Sequence, residues 1–517
     1  MSAPSPSVSS HRSETVVLLA SVLAIVIIWA KTLEFASRHW LALYDDAYIF
    51  LRYVDNLFSG CGLRFNCTDV PVEGFTSPLY LGLLAVGRLF SPNLEAVTST
   101  LGTLCVGATG TLAVLSLSRS PLAHPHRGSA ALSILGIAVL LATSSFWLLN
   151  SVIGLEAPLG ALLAVLILRA ALLERHTSLR VWVVVGVLCR PEFVLFLIAL
   201  PVFREGRNLR YFLYPVACLL GFLVTRVWIF DEFLPLTYFA KSGGTSRHAV
   251  LGLHYIGETV SDFPMTLLAP LALLEPRVRR PITYFLLVAS VWCGFFLRSG
   301  GDTFYYSRLF VPLMVGLEVL AVYGLFLAAT RLSLHHSGIV KVLALVPLLP
   351  IGGAVGYAMK NQSIPPTHVF ANVARYKAVG EYLKRHHGGA TVATVPIGAI
   401  GYFSHLRIID LVGLTAPAIA HAGTTVPEGM LDRNWIGHER HNTPWVLEQA
   451  PDLIVTTKFR RRPWQGLADT SAGFIADWLL LRAIKAGEAP YEVLSAEVEP
   501  GLFCLMFQRR AQGSMVP

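Results

Sequence analysis

The sequence predicts a mainly α, polytopic membrane bundle of about eleven helical spans, followed by a C-terminal α/β domain outside the membrane. Three observations carry this reading. Of the 517 residues 54% are hydrophobic and only 14% charged, whereas a soluble domain carries roughly 25% charged residues. Residues 97–118, 129–155, 211–225, 282–297 and 342–359 contain no Asp, Glu, Lys or Arg, and mean hydropathy over the chain is +0.59. Each run, alone or with its flanks, is long enough to cross a hydrocarbon core of about 30 Å as a helix. From Pro365 onward apolar density falls and the pattern becomes that of a soluble unit.

Taken in order, Thr15–Ala30 reads as an uncleaved first span, since no small-residue cleavage site follows it. Basic clusters at Arg119/Arg127, Arg175/Arg180, Arg204/Arg207/Arg210, Arg277/Arg279/Arg280 and Arg331/Lys341 mark connections that belong in the cytoplasm. With a cytoplasmic N-terminus all five fall inside, provided that Pro78–Phe90 is a short interfacial helix. Residues 179–203 must then enter and return as two short helices broken at Arg190-Pro191-Glu192, where proline disfavours continuation. The loops left outside are 35–96, 150–156, 231–253, 299–307 and everything after about 360. Residues 1–360 thus form the membrane domain and 361–517 an extracytoplasmic α/β domain, with a helix over Val373–His386 and strands over Thr391–Pro396, Arg407–Leu411, Leu453–Thr457 and Leu502–Gln508.

The 41 Lys+Arg exceed the 32 Asp+Glu by 9, but they lie in short clusters rather than a continuous stripe. That excludes a nucleic-acid partner and makes the bilayer the expected one. Among seven cysteines only Cys61 and Cys67 fall together in a polar loop; on the outer side a disulfide between them is allowed. No glycine-rich phosphate loop and no His-Glu-x-x-His is present, so a nucleotide cofactor and a zinc site lack support. No cofactor and no metal ligand set are therefore assigned, although carboxylates can hold a divalent cation without a short motif.

The unusual polar residues crowd the outer side. The first outer loop, 35–96, opens Tyr44-Asp45-Asp46-Ala47-Tyr48-Ile49 and continues through Val72-Glu73-Gly74-Phe75-Thr76-Ser77-Pro78. Adjacent carboxylates just beyond a span are costly near lipid unless they face water or a polar cavity. Further along come Gly154-Leu155-Glu156-Ala157-Pro158, Arg190-Pro191-Glu192, Asp231–Lys241, Gly300-Gly301-Asp302 with Arg308, Ile409–Thr415 and Gly437-His438-Glu439-Arg440. Glu318 lies inside a span and reads as paired within the bundle.

In this order and on one membrane side, these segments resemble the GT-C glycosyltransferases, in particular the bacterial subgroup similar to terminal arabinofuranosyltransferases. The resemblance implies transfer of a sugar from a polyprenyl phosphate to a cell-envelope glycan, lipid-linked glycan or protein, in the bacterial inner membrane with the C-terminal domain periplasmic. One of Asp45 and Asp46 is expected to take the acceptor hydroxyl proton, with a slight preference for Asp45. Lys241, Arg308 and Arg190 suit the departing phosphate, because a desolvated phosphate needs charge-assisted donors. Tyr48, Glu73, Glu156, Tyr238, Asp302, His438 and Glu439 are expected at the substrate. Bland roles compete with these: Lys241 and Arg308 as interfacial anchors, Glu156 at a helix start, Arg190 and Glu192 compensating each other. On the same scaffold a hexose or aminosugar is the other enzymatic reading. A transporter or flippase, or a non-catalytic assembly factor, are readings of another class; a transporter would show paired, internally similar halves with broken helices near the midplane, whereas here the acidic residues crowd one face and the chain ends in a soluble domain.

Overall fold

The computed structural model describes residues 8–119, 127–241, 245–302, 307–333, 367–422, 426, 436–470 and 473–510. The span expected over 342–359 lies outside the described residues. The N-terminal part is helical: α1 (Val8–Arg38), α2 (Asp45–Phe58), α3 (Pro78–Arg88), α4 (Leu94–Ser118), α5 (Arg127–Thr143), α6 (Ser145–Leu149), α7 (Ala157–Leu172), α8 (His176–Cys189), α9 (Val194–Ile198), α10 (Leu213–Phe230), α11 (Leu236–Lys241), α12 (Ser246–Asp262), α13 (Arg279–Ser299) and α14 (Val311–Ser333). Among the described residues, five stretches are long and apolar enough to cross a membrane: Glu14–Arg38, Leu94–Ser118, Leu213–Phe230, Pro276–Ser299 and Val311–Ala329. Shorter apolar helices, Ala157–Leu172 and His176–Cys189 among them, fill the bundle between these.

Local chemistry explains the helix limits. Ser77 accepts the Tyr80 N–H ahead of Pro78, and Asn93 accepts the Ala96 N–H, so α3 and α4 begin at side-chain caps. Arg190 is extended (φ −151°, ψ 134°), and α8 stops there before Pro191, as the proline position leads one to expect. The α14 helix packs against α7 and the segment Pro264–Leu274. Glu318 is buried on α14, and its expected pairing is absent among the described residues: Oε2 has no hydrogen-bond partner, and the segment 264–274 carries no charged side chain.

The segment 35–96, expected as a loop, is more ordered than a loop. Its acidic pair opens the amphipathic helix α2, where carboxylates suit the positive helix end. Beyond α2, Cys61 and Cys67 form a disulfide. Replacing both by serine is expected to cost at most about 2 kcal/mol, the entropy of so short a loop, read as a lowered unfolding midpoint of the detergent-purified protein. Two free thiols in non-reducing mass spectrometry of membrane-isolated protein would overturn the pairing.

The C-terminal domain is a five-stranded sheet in the order β2-β1-β3-β5-β4. Parallel strands β1 (Thr391–Thr394), β2 (Arg407–Asp410) and β3 (Leu453–Arg460) continue into antiparallel β4 (Tyr491–Glu499) and β5 (Leu502–Arg509). The sequence reading misses β4, because Glu492, Glu497 and Glu499 break its apolar pattern. As an edge strand with one face open, it tolerates them.

The free edge of β2 meets α2 and the segment that follows it. The Asn66 side chain accepts from Ile408 N–H (3.0 Å) and donates to Ile408 C=O (2.8 Å), as a neighbouring strand would. Arg52 of α2 donates to Leu406 C=O at 2.6 Å, and Asp69 pairs with Arg407 at 2.9 Å.

Candidate active site

Where the bundle meets the C-terminal domain lies a cavity of about 800 Å³. α2 contributes Asp46, Ile49 and Phe50, and α11 contributes Thr237, Tyr238 and Lys241. The end of α13 contributes Trp292, Phe295 and Arg298, followed by Gly301, Asp302 and Arg308. Gly300 and Gly301 close α13 at φ +79° and +89°, a backbone that glycine adopts without strain, and this turns Asp302 towards the cavity. The C-terminal domain supplies Leu414, Ile436, Gly437 and His438. Asp410, at the end of β2, shapes the turn carrying Leu414 by accepting from Val412 N–H (2.9 Å) and Thr415 N–H (2.7 Å). Burial pushes the Asp410 carboxyl up to about 6 against those bonds.

The polar end of the cavity is a set of ion pairs. Arg308 holds Asp302 and also reaches Asp46 at 3.1 Å. Arg190 is clasped by Glu156 (2.6 Å) and Glu192 (3.1 Å). Lys241 and Arg298, also at the wall, have no ion-pair partner among the described residues. Burial works to raise the Asp46 carboxyl, but Arg308 and Lys241 outweigh it and hold Asp46 below the usual carboxylate range. His438 Nδ1 lies 3.1 Å from Ile436 C=O. A carbonyl only accepts, so Nδ1 carries the proton and Nε2 keeps its lone pair. Burial first, and Lys241 second, hold the His438 imidazole below its ordinary value and thus neutral at pH 7.

Of the residues singled out in the sequence, Asp46, Lys241, Arg308, Arg190, Glu156, Tyr238, Asp302 and His438 converge on this cavity. Four others do not line it. Asp45 accepts from Gly398 N–H (3.1 Å) and Ala399 N–H (2.8 Å) of the helix Ile397–Ser404, and burial pushes its carboxyl up to about 7. Tyr48 donates to Glu95 at 2.7 Å and packs on Tyr402 and Phe403. Glu73 is locked onto Arg226 at 2.7 Å, both nearly fully buried. Glu439 meets His248 at 3.1 Å behind the wall.

Trp292, Phe295 and Arg298 had not been singled out. In the sequence they belong to a span, where aromatic and apolar residues look alike whether they face lipid or a cavity, and a terminal Arg reads as an anchor.

The family described as a domain of unknown function (DUF8728) matches residues 368–496, which cover β1 to β3 and most of β4. No curated protein matches the chain. Among solved structures it is similar to ArnT from Cupriavidus metallidurans bound to undecaprenyl phosphate, with a TM-score of 0.56 and 12% identity over 96% of this chain and 98% of that one. The apo state of the same protein superimposes with a TM-score of 0.53 and 12% identity over 95% and 97% of the two chains. At such identity the likeness speaks of architecture, and it extends over nearly the whole of both chains. This protein has the GT-C fold.

Proposed function

We propose that the protein is a membrane glycosyltransferase that moves a sugar from a polyprenyl phosphate to a hydroxyl acceptor. The observation that carries this is the one cavity in which Asp46, Arg308 and Lys241 face the end of an apolar-walled chamber. Apolar side chains such as Val194, Leu195, Val291 and Phe295 suit a prenyl chain, and cations suit its phosphate. The solved relative bound to undecaprenyl phosphate supports the lipid class.

In this reading the acceptor oxygen bonds to the anomeric carbon as the bond from that carbon to the phosphate oxygen breaks. The leaving polyprenyl phosphate takes the electron pair and rests on Lys241 and Arg308, with Arg190 behind them. Asp46 takes the acceptor proton. A donor phosphate competes with Asp46 for Arg308, and the loss of that pairing makes Asp46 a better base once the donor is bound. Asp45 has the carboxyl nearer neutrality, but proton abstraction requires reach first, and both its oxygens are occupied by backbone N–H groups. Tyr238, Glu156, Asp302 and His438 line the space for sugar and acceptor.

Purified protein assayed with synthetic prenyl-phosphate sugars tests the reading. An arabinofuranose donor comes first, then hexose and aminosugar donors, with glycan, lipid-linked and protein acceptors. Transfer with none of these, under conditions where the prenyl phosphate binds, favours the assembly-factor reading. We further propose that the C-terminal domain is periplasmic in a bacterial inner membrane, on the basic-loop pattern. A reporter after Pro517 should be active only outside the cytoplasm, and an impermeant thiol reagent should not label cysteines placed at Arg204–Arg210 in intact cells. Labelling there would invert the topology.

A further inference from the structure

The adjacent carboxylates Asp45 and Asp46 leave the first turn of α2 in different directions. Asp46 enters the cavity, whereas Asp45 points to the C-terminal domain. From these geometries we infer that Asp45 is a positioning residue: a latch that grips the start of the helix Ile397–Ser404 and seats the C-terminal domain on the membrane domain. The inference rests on the glycosyl-transfer reading only for its activity arm.

Several observations converge on the latch. Both carboxylate oxygens accept backbone N–H bonds, from Ala399 at 2.8 Å and Gly398 at 3.1 Å. These N–H groups open the helix and have no partner within it, and a carboxylate there also meets the positive end of the helix. The contact is as close as backbones allow, since a Cβ at Gly398 would lie 1.9 Å from the Asp45 carbonyl oxygen. The next turns of α2 continue along the same helix: Tyr48 packs on Tyr402 and Phe403, and Arg52 crosses Gly401 to reach Leu406 C=O.

What the latch holds in place is the roof of the cavity. Leu414, Ile436, Gly437 and His438 all come from the domain that Asp45 grips, and Gly437 lies against the Lys241 side chain. Because Asp45 and Asp46 are neighbours on one helical turn, gripping the domain and placing Asp46 under its roof are a single geometric act. A chemical role for Asp45 needs a carboxylate; a latch needs only an acceptor at a helix start, which serine and asparagine also provide.

The test uses the full-length protein in nanodiscs, with Asp45→Ala, Asp45→Ser, Asp45→Asn and Asp46→Asn. Hydrogen exchange is followed on peptides covering 397–404, and transfer is measured per folded molecule with KM and kcat separated. For Asp45→Ala, exchange protection at the start of that helix should fall by about 2- to 30-fold, the range of a helix N-cap, and kcat and acceptor KM should both worsen. Asp45→Ser and Asp45→Asn should recover protection and keep turnover within about tenfold of the parent. Asp46→Asn should lose turnover with protection intact. If Asp45→Ser retains protection but is as inactive as Asp46→Asn, Asp45 acts chemically and the latch is wrong. Unchanged exchange in Asp45→Ala also overturns it. Should the parent itself transfer no sugar, the proposed activity fails, while the exchange measurements still decide the docking role.

Discussion

Asp46→Asn is expected to lower turnover by about 10² to 10⁴, the usual worth of general-base catalysis. Asparagine is nearly isosteric and still offers an oxygen to Arg308, 3.1 Å away in the parent, so membrane abundance and donor binding should stay close to the parent. The measurement is single-turnover transfer at saturating donor and equal protein. Turnover within a few-fold of the parent would remove Asp46 as the proton acceptor. Another lone pair at the cavity wall is His438 Nε2, and with it as base the acid limb of kcat/KM would titrate below the ordinary imidazole value, where burial and Lys241 hold this side chain. With Asp46 as base the limb should instead lie below the ordinary carboxylate range in the donor-free enzyme, because Arg308 and Lys241 overcome the effect of burial there.

The second large effect is expected at the phosphate. Arg308→Ala and Lys241→Ala should each weaken binding of a non-transferable prenyl-phosphate analogue by about 10- to 150-fold, the worth of a hydrogen bond to a charged group. Acceptor affinity should change less. Arg308→Lys should recover part of the loss only, since a lysine keeps the charge but not the planar fork that now spans Asp302 and Asp46. Arg308→Ala also removes the guanidinium that bridges the Asp46 and Asp302 carboxylates, so its expression and unfolding midpoint must be matched against the parent before binding is compared. Equal binding by both alanine variants would refute the assignment.

Much of the architecture was legible because membranes and helix ends impose simple rules. Charge-free runs had to be helical in lipid, and Pro191 had to interrupt its helix. The parallel strands β1, β2 and β3 were visible as short apolar runs. β4 was not, since an edge strand with one open face needs no such run. Glu318 is a case the other way: the cost of an intramembrane acid suggested a partner, and among the described residues its Oε2 has no hydrogen-bond partner.

By itself the sequence determined the kind of chemical groups available to a site: two adjacent acids, several cations and a histidine in the C-terminal domain. Composition and span parity lead to an expected side for each connection, and that expectation needs no coordinates. Only the tertiary structure decided which groups meet. Asp45 and Asp46 are chemically identical neighbours, yet about 100° of helical rotation sends one to the backbone of a helix more than 350 residues away and the other into the cavity. Glu73 and Glu156 likewise look alike in the chain, but one is buried against Arg226 and the other lines the site with Arg190. Direction of a side chain is a property of packing between distant segments, and local sequence carries no record of it.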